Sequence, residues 1–405
     1  MKPRGISLPM RLLVVTNLYP PQELGGYGRS IADFVWGLQE RGHQVQVLSS
    51  DAPYLGPSSD GPSGEPVDRG IQLKGNYRQG VQKLQDSAAC RTVDQANVAL
   101  VERWFQNRSW DGVLLGNLDF LGVELLQALL KPGIPVLHHV GFVHPPFAPG
   151  FWPTEPHYQL VSASKAVRQS LVSAGLPVAN APVVYPGARV ELFGEEATGR
   201  PLPEMPNGTA ARPLRVGFAG LLMPSKGAHT VVEAISILRE RGVIAVAMLA
   251  GGQFKEDYIK QMEGFIRQQG LEDQVQFVKQ LSREQLARFY RLQHVGVFPS
   301  IQPEAFGIVA AEMMASGLAL VSSGVGGAAE LFEDGVSGLG FEAGNPVSLA
   351  GQLEGVLHEP ERMRQIQQSG ESDVRQRFSV RASAHHLEQI WKNATEPTRA
   401  ADELN

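Results

Sequence analysis

Cysteine is nearly missing from this sequence: Cys90 is the only one in 405 residues. A single thiol excludes an intrachain disulfide and a cysteine-built zinc site, and it suits a reducing cytoplasm. Surplus basic charge is lacking as well. With 36 Lys and Arg against 41 Asp and Glu, the formal net charge is −5, which gives nucleic acid no electrostatic reason to bind. Long apolar runs are missing too. The first run, 12–15, follows Arg11 directly and stops at Thr16-Asn17, too short for the apolar region of a signal peptide. No other run approaches the roughly 20 residues that a membrane-spanning helix needs. The expectation is a cytoplasmic, soluble chain that meets a membrane only at its surface, at most the inner membrane face. A further absence concerns cofactors: neither 25–28 (GGYG) nor 324–327 (GVGG) completes G-x-G-x-x-G, so hydride transfer with a dinucleotide has little support.

What is present is enough apolar residue to build two cores. Hydrophobic residues make up 43% and charged residues 19% of the chain, which excludes long-range disorder, and the length suits two ordinary domains. Short apolar runs alternate with amphipathic segments, the pattern of repeated βα units around a parallel sheet. The spacing predicts strands at 11–16, 44–49, 112–115, 134–138, 158–162 and 182–185, with a helix over 26–41 and a loop over 53–65. A stretch of Gly, Pro, Glu, Asn and Thr at 195–212 reads as a linker. A second series follows, with strands at 214–219, 244–249, 274–278, 295–299 and 319–322. Its helices are expected from 226, over 256–269, 283–292 and 306–316, and helical patterns finish the chain. Two doubly wound domains would place a ligand cleft at the carboxyl ends of their strands.

The segment 299–312 (PSIQPEAFGIVAAE) carries the sharpest chemistry. A strand ends at Pro299, a loop holds Glu304, and a helix is expected to open near Phe306. Amides at a helix start have no intrahelical partners and, with the dipole, form an anion site. Gly307 would let a phosphate or sugar approach the backbone closely. Glu304 stands at the helix mouth, where a carboxylate accepts hydrogen bonds from hydroxyls, and Glu312 lies about two turns further on. A capped amphipathic helix with two solvated glutamates would explain an isolated pair. Here strand, Pro-Ser loop, glycine and small-residue helix all occur together, and the segment resembles the signature of retaining glycosyltransferases of family 4 (glycosyl transferases group 1), in which two glutamates flank seven residues.

The resemblance extends over almost the whole chain. Residues 218–227 (FAGLLMPSKG) are similar to the family's strand, loop and lysine-glycine element, which implies that Gly220 and Lys226 meet the donor diphosphate. A lysine at a helix N-terminus is unfavourable beside the dipole unless an anion sits there too. Gly251 falls in a segment, 249–252, similar to the family's strand-end glycine turn, and 275–281 resembles the segment whose backbone reads the nucleotide base, ending in Gln280 and Leu281. Lys279 stands where the family usually has glycine, and Leu221 where many relatives have an arginine that shares the diphosphate charge. Arg29 is the substitute cation expected if the domains close. The loop 20–26 (PPQELGG) resembles the glycine loop that faces the donor phosphates, which brings in Gly26. Relatives often carry a histidine at the strand end near the reacting sugar carbon; of three candidates, His139 is chosen, with His138 and His144 left open. A metal site built from these histidines is not expected, since no carboxylate accompanies them.

The resemblance therefore implies the GT-B fold, an α/β architecture of two Rossmann-like doubly wound parallel-sheet domains facing across a cleft. The expected division is 1–194 on the acceptor side, linker 195–212, 213–378 on the nucleotide-sugar side, and a helix and tail, 379–405, packing back on the first domain. The implied reaction moves a hexose or related sugar from a nucleoside diphosphate, UDP favoured and GDP next, to an acceptor hydroxyl, with retention and without a metal or other cofactor. Catalytic roles fall to His139, Lys226 and Glu304. Donor contacts fall to Gly26, Gly220, Lys226, Gly251, Gln280, Leu281, Glu304, Phe306, Gly307, Ile308, Val309 and Glu312. Glu304 would position sugar hydroxyls and Glu312 the ribose, leaving the departing phosphate to take the acceptor proton. The acceptor is expected to be a sugar, a lipid-linked sugar or a small molecule. Two rivals remain: an epimerase or phosphorylase of the same fold, and a non-catalytic scaffold that binds nucleotide sugars, which the missing arginine at Leu221 keeps open.

Overall fold

The apolar runs become strands buried on both faces, as a parallel sheet covered by helices requires. The computed structural model describes residues 9–78, 80–252 and 256–402, with the backbone alone for 395–402. The ends of the expected first domain (1–8) and of the expected tail (403–405) lie outside the described residues. The chain divides into two units, one of Met1–Pro186 with Val380–Asn405 and one of Gly187–Ser379.

The first unit holds β1 (Arg11–Val15), β2 (Gln44–Ser50), β3 (Val67–Ile71), the short antiparallel pair β4 (Gly75–Asn76) and β5 (Gln82–Lys83), then β6 (Gly112–Leu115), β7 (Val136–Val140) and β8 (Tyr158–Ser162). Its helices are α1 (Tyr27–Glu40), α2 (Ser87–Gln106), α3 (Val123–Leu130) and α4 (Lys165–Ser173). The six-stranded sheet runs β3-β2-β1-β6-β7-β8 with every pairing parallel. The second unit holds β9 (Leu214–Ala219), β10 (Ala245–Ala250), β11 (Val275–Val278), β12 (Val295–Phe298), β13 (Ala319–Ser322) and β14 (Leu339–Gly340). Around them lie α5 (Glu195–Thr198), α6 (Ala228–Glu240), α7 (Glu256–Gln269), α8 (Arg283–Tyr290), α9 (Ile308–Ala315), α10 (Pro346–His358) and α11 (Pro360–Arg377). Its sheet runs β11-β10-β9-β12-β13-β14, again all parallel.

Both sheets therefore have the doubly wound strand order. In each, the direction of winding reverses beside the first strand, between β1 and β6 and between β9 and β12, and ligands of such sheets bind outside the carboxyl ends at that reversal. The final helix, α12 (Val380–Asp402), belongs to the first unit. Its Ala384, Leu387, Ile390 and Trp391 share a core with Leu12, Val14, Phe34 and Leu38. Its Glu388, fully buried, pairs with Arg41 at the C-cap of α1 and with Lys392 one turn on.

Three expectations change. The segment 195–212 is no linker but part of the second unit: Arg291 bonds Arg200 O at 2.7 Å and Glu195 at 3.3 Å, and His294 Nε2 donates to Glu204 O at 2.9 Å. Its polar, turn-rich composition serves a loop whose carbonyls are satisfied by one surface, and the divisions fall at 186/187 and 379/380 instead. The strand expected at 134–138 begins at Val136 and runs to Val140, because Pro135 has no N–H for the ladder. Residues 182–185, which begin with Pro182 and run into Pro186, form only a single bridge, Ser162 with Val183. Among the described residues no helix is long and apolar enough to cross a membrane.

Candidate functional site

At the reversal point of the second sheet, two loops meet. The first leaves β9 at Ala219, makes a short 3-10 turn over Pro224–Lys226, and enters α6 through Gly227. The second leaves β12 at Phe298 and reaches α9 through Gly307. They are stitched by Ile301 N donating to Ser225 O at 2.8 Å. Gly227 has φ +71, and a Cβ there would lie 2.0 Å from Pro299 O, so only glycine permits the approach. The consequence is an ion pair: Lys226 Nζ lies 2.6 Å from Glu304 Oε1. Ser300 Oγ donates to the same oxygen. The loop after β13 clamps the glutamate backbone on both sides, with Glu304 N donating to Val325 O at 3.2 Å and Gly327 N donating to Glu304 O at 2.7 Å. Glu304 is thus the anion that a lysine beside a helix start requires. The lysine and glutamate side chains remain 31% and 16% exposed, so both stay open to a ligand.

The other expected donor residues of this unit lie at the same end of the sheet or on α9. Gly307, with φ +106, is the N-cap of α9 and no side chain caps it. The helix therefore opens at Ile308 and not near Phe306, because a residue at that φ is not helical. The half-buried Ile308 and Val309 carry first-turn amides without a side-chain acceptor. Phe306 is buried with its ring against Phe378. A Cβ on Gly251 would fall 1.8 Å from Gly220 O, so the ends of β9 and β10 touch through these two glycines. Gln280 is exposed and reaches Gly252, and Leu281 is half-buried beside it. Leu221, half-buried, supplies no cation. Glu312 has no exposed surface, and Arg283 Nε of α8 lies 3.6 Å from its Oε1. Sequence reasoning left Arg283 out and quoted Ser300 without a role; a hydroxyl that reaches a carboxylate four residues on is a property of loop shape, and an arginine beside Glu312 a property of helix packing.

Gly26 and His139 belong to the first unit. Gly26 is the exposed N-cap of α1. His139 lies on β7, fully buried. Its Nε2 donates to Val184 O at 2.9 Å, which leaves Nδ1 unprotonated, 3.5 Å from Tyr27 Oη. Tyr27 donates its hydroxyl to His139 O. Burial pushes the imidazole down to about 4, so the ring is neutral at pH 7. His138 is buried as well, with Nδ1 2.9 Å from Tyr158 Oη, and burial together with its neighbour His139 pushes it down to about 3. His144 is exposed. A cavity of about 100 Å³ at the ends of β6 and β7 is lined by Tyr27, Asn117, Asp119, His138, Phe142 and His144 among others. Arg29 pairs within its own unit, 3.4 Å from Glu23. Size does not select the site: a cavity of about 380 Å³ between α6 and α7 has Glu233 and no lysine or arginine in its lining, the wrong sign for a diphosphate. Among the described residues no group of three or more His, Cys, Asp or Glu stands together to hold a metal ion.

Two doubly wound units with this strand order define the GT-B class. A protein from Anabaena solved in complex with UDP and glucose has the same fold, with TM-score 0.71 and 18% identity over 95% of this chain and 100% of that one. Residues 206–373 match the family described as Glycosyl transferases group 1, and the second unit is a domain of that family. An uncharacterized glycosyltransferase of Methanocaldococcus jannaschii is 24% identical over 411 residues, 96% of this chain and 99% of that protein. A D-inositol 3-phosphate glycosyltransferase of Corynebacterium kroppenstedtii is 28% identical over 219 residues, and the match spans 52% of this chain and 48% of that protein. The group 1 family is thus matched over residues 206–373, and over its full length the chain is similar to a glycosyltransferase.

Proposed function

We propose that the chain transfers a hexose or related sugar from a nucleoside-diphosphate sugar, UDP-linked before GDP-linked, to an acceptor hydroxyl with retention at the anomeric carbon and no metal in the reaction. The observation that carries this reading is the exposed Lys226–Glu304 pair at the reversal point of the second sheet. A cation and a hydroxyl-accepting carboxylate side by side suit a ligand that joins a diphosphate to a sugar. On donor binding Lys226 turns to the diphosphate. With the first amides of α9, it stabilises negative charge as the sugar leaves, the electrostatic form of catalysis that depends on donors already in place. Glu304 then accepts hydrogen bonds from sugar hydroxyls, Glu312 holds the ribose, and the departing phosphate takes the acceptor proton. Because the Glu312 carboxylate is closed to solvent, its role needs a local opening when the nucleoside enters. His139 contributes as a neutral ring in a fixed position, not as a charged acid. UDP is put first because it is bound in the Anabaena protein of the same fold; retention follows from the likeness of Glu304 and Glu312 to the family signature.

The test is a screen of purified protein against UDP-, ADP- and GDP-sugars, followed by acceptor-dependent release of the nucleoside diphosphate. Release only with an acceptor, and an α-linked product from an α-linked donor by proton NMR, is the expected result. Epimerised sugar nucleotide without release, or a β-linked product, would contradict it.

A further inference from the structure

Both hydrogen bonds that Glu304 accepts on its carboxylate go to one oxygen. Lys226 Nζ and Ser300 Oγ both donate to Oε1, and among the described residues no protein group bonds Oε2. The two donors differ in freedom. The lysine side chain is 31% exposed on a flexible stem. Ser300 is 1% exposed, and its carbonyl is held by Ser323 Oγ at 2.6 Å, which also lies 3.3 Å from Phe298 O. A long exposed lysine is free to swing toward an arriving anion, whereas a buried serine tied to the strand end is not.

We propose that Ser300 is the positioning residue of the donor site: its hydroxyl holds Glu304 Oε1 when Lys226 turns to the diphosphate, and so keeps Oε2 aimed at the sugar hydroxyls. This rests on the function proposed above and deepens it. In the ligand-free protein the lysine and the serine hold the carboxylate together, so losing the serine alone matters little. Once a diphosphate draws the lysine away, the serine is the remaining side-chain donor on Glu304. Its effect must then appear in handling of the sugar and not in affinity for the nucleotide.

The experiment compares Ser300→Ala and Ser300→Thr with the wild type, using calorimetry with UDP and with UDP-glucose, or with the ADP or GDP pair if the wild type binds that instead, and measuring turnover. For Ser300→Ala we expect nucleoside diphosphate affinity within about twofold of wild type and kcat lower by about ten- to a hundredfold, the range for a hydrogen bond to a charged group. Ser300→Thr, which restores a hydroxyl, should recover most of the turnover. Far-UV circular dichroism and melting temperature check that each variant folds. Equal loss of nucleoside diphosphate affinity and turnover in Ser300→Ala would mean that the serine shapes the loop, and would overturn the proposal. Unchanged turnover in Ser300→Ala would overturn it too. Glu304→Gln separates the two levels: full transfer by that variant would sink the donor-site reading itself, whereas an inactive Glu304→Gln beside a fully active Ser300→Ala would sink only the role of the serine.

Discussion

The two sheets share a strand order but furnish their reversal points in opposite ways. At the ends of β9 and β12 the second unit exposes charge, a lysine and a glutamate that neutralise each other until a ligand intervenes. Near the ends of β6 and β7 the first unit buries two of its polar side chains: His138 and His139 are buried, hydrogen-bonded and uncharged. One topology thus supports two kinds of surface, and the difference lies in whether the polar side chains stand on loops or inside a strand. Where two short loops are stitched through a glycine, the charged side chains pair at the loop surface and keep part of their area open. Where the histidines sit inside the strand, as on β7, their polar atoms must find partners within the protein.

That contrast predicts which substitutions cost activity and which cost stability. The largest effect should come from Lys226→Ala, which removes a preplaced cation and should lower turnover by about a hundred- to a thousandfold. Its melting temperature should stay near that of the wild type, since half-exposed ion pairs add little stability. A variant that keeps its turnover, or that unfolds, would erase the contrast.

His139→Ala should cost stability where Lys226→Ala does not. It leaves Val184 O without its donor in a buried place, at a cost of about 1–3 kcal/mol by denaturant unfolding. The pH dependence follows the same line. Burial holds both histidines below the value they have in the unfolded chain, to about 3 for His138 and about 4 for His139. The unfolded state then binds protons first. Stability is fully present above about pH 6.5 and is lost as pH falls from there toward the folded values. His43 and His294, also lowered by burial, act in the same direction. The informative quantity is therefore the difference between wild type and His139→Gln, whose unfolding free energy should fall less steeply between pH 6.5 and 4. Equal slopes would mean that His139 is charged in the folded protein.

A smaller change is expected at Leu221, beside Gly220 at the end of β9. Leu221→Arg would add a second cation to the charged reversal point and should tighten UDP by up to about tenfold, at the low end for a charged hydrogen bond because the position is half-exposed. Unchanged affinity in a folded variant would show that position 221 does not face the phosphates.

Much of the second unit was legible because its chemistry is local. Glu304 and Gly307 lie within one loop, and the strand–loop–helix pattern around them follows from apolar periodicity and glycine. Strands 112–115, 158–162, 214–219 and 319–322 and helix 256–269 appear where spacing put them. What was not legible depends on contacts between distant segments. The segment 195–212 looks like a linker because hydrogen bonds that hold it are made with Arg291, His294 and Ile244, far away in sequence. The helix α2 gave no apolar stripe to read, since only Asn97, Leu100 and Val101 of its 20 residues are buried. The burial of His139 was hidden because a histidine at a strand end and one inside a strand look alike in sequence, and Pro135 decided which it is.

In the proposed function the charged reversal point of the second sheet receives the nucleotide sugar. A crystal structure of the protein with UDP-glucose tests it most directly. The diphosphate is expected against Lys226 Nζ and the first amides of α9, and the sugar hydroxyls on Glu304 Oε2 with Ser300 still donating to Oε1. A nucleotide seated elsewhere, in the cavity between α6 and α7 or at the buried histidines of the first unit, with the Lys226–Glu304 pair intact, would contradict it.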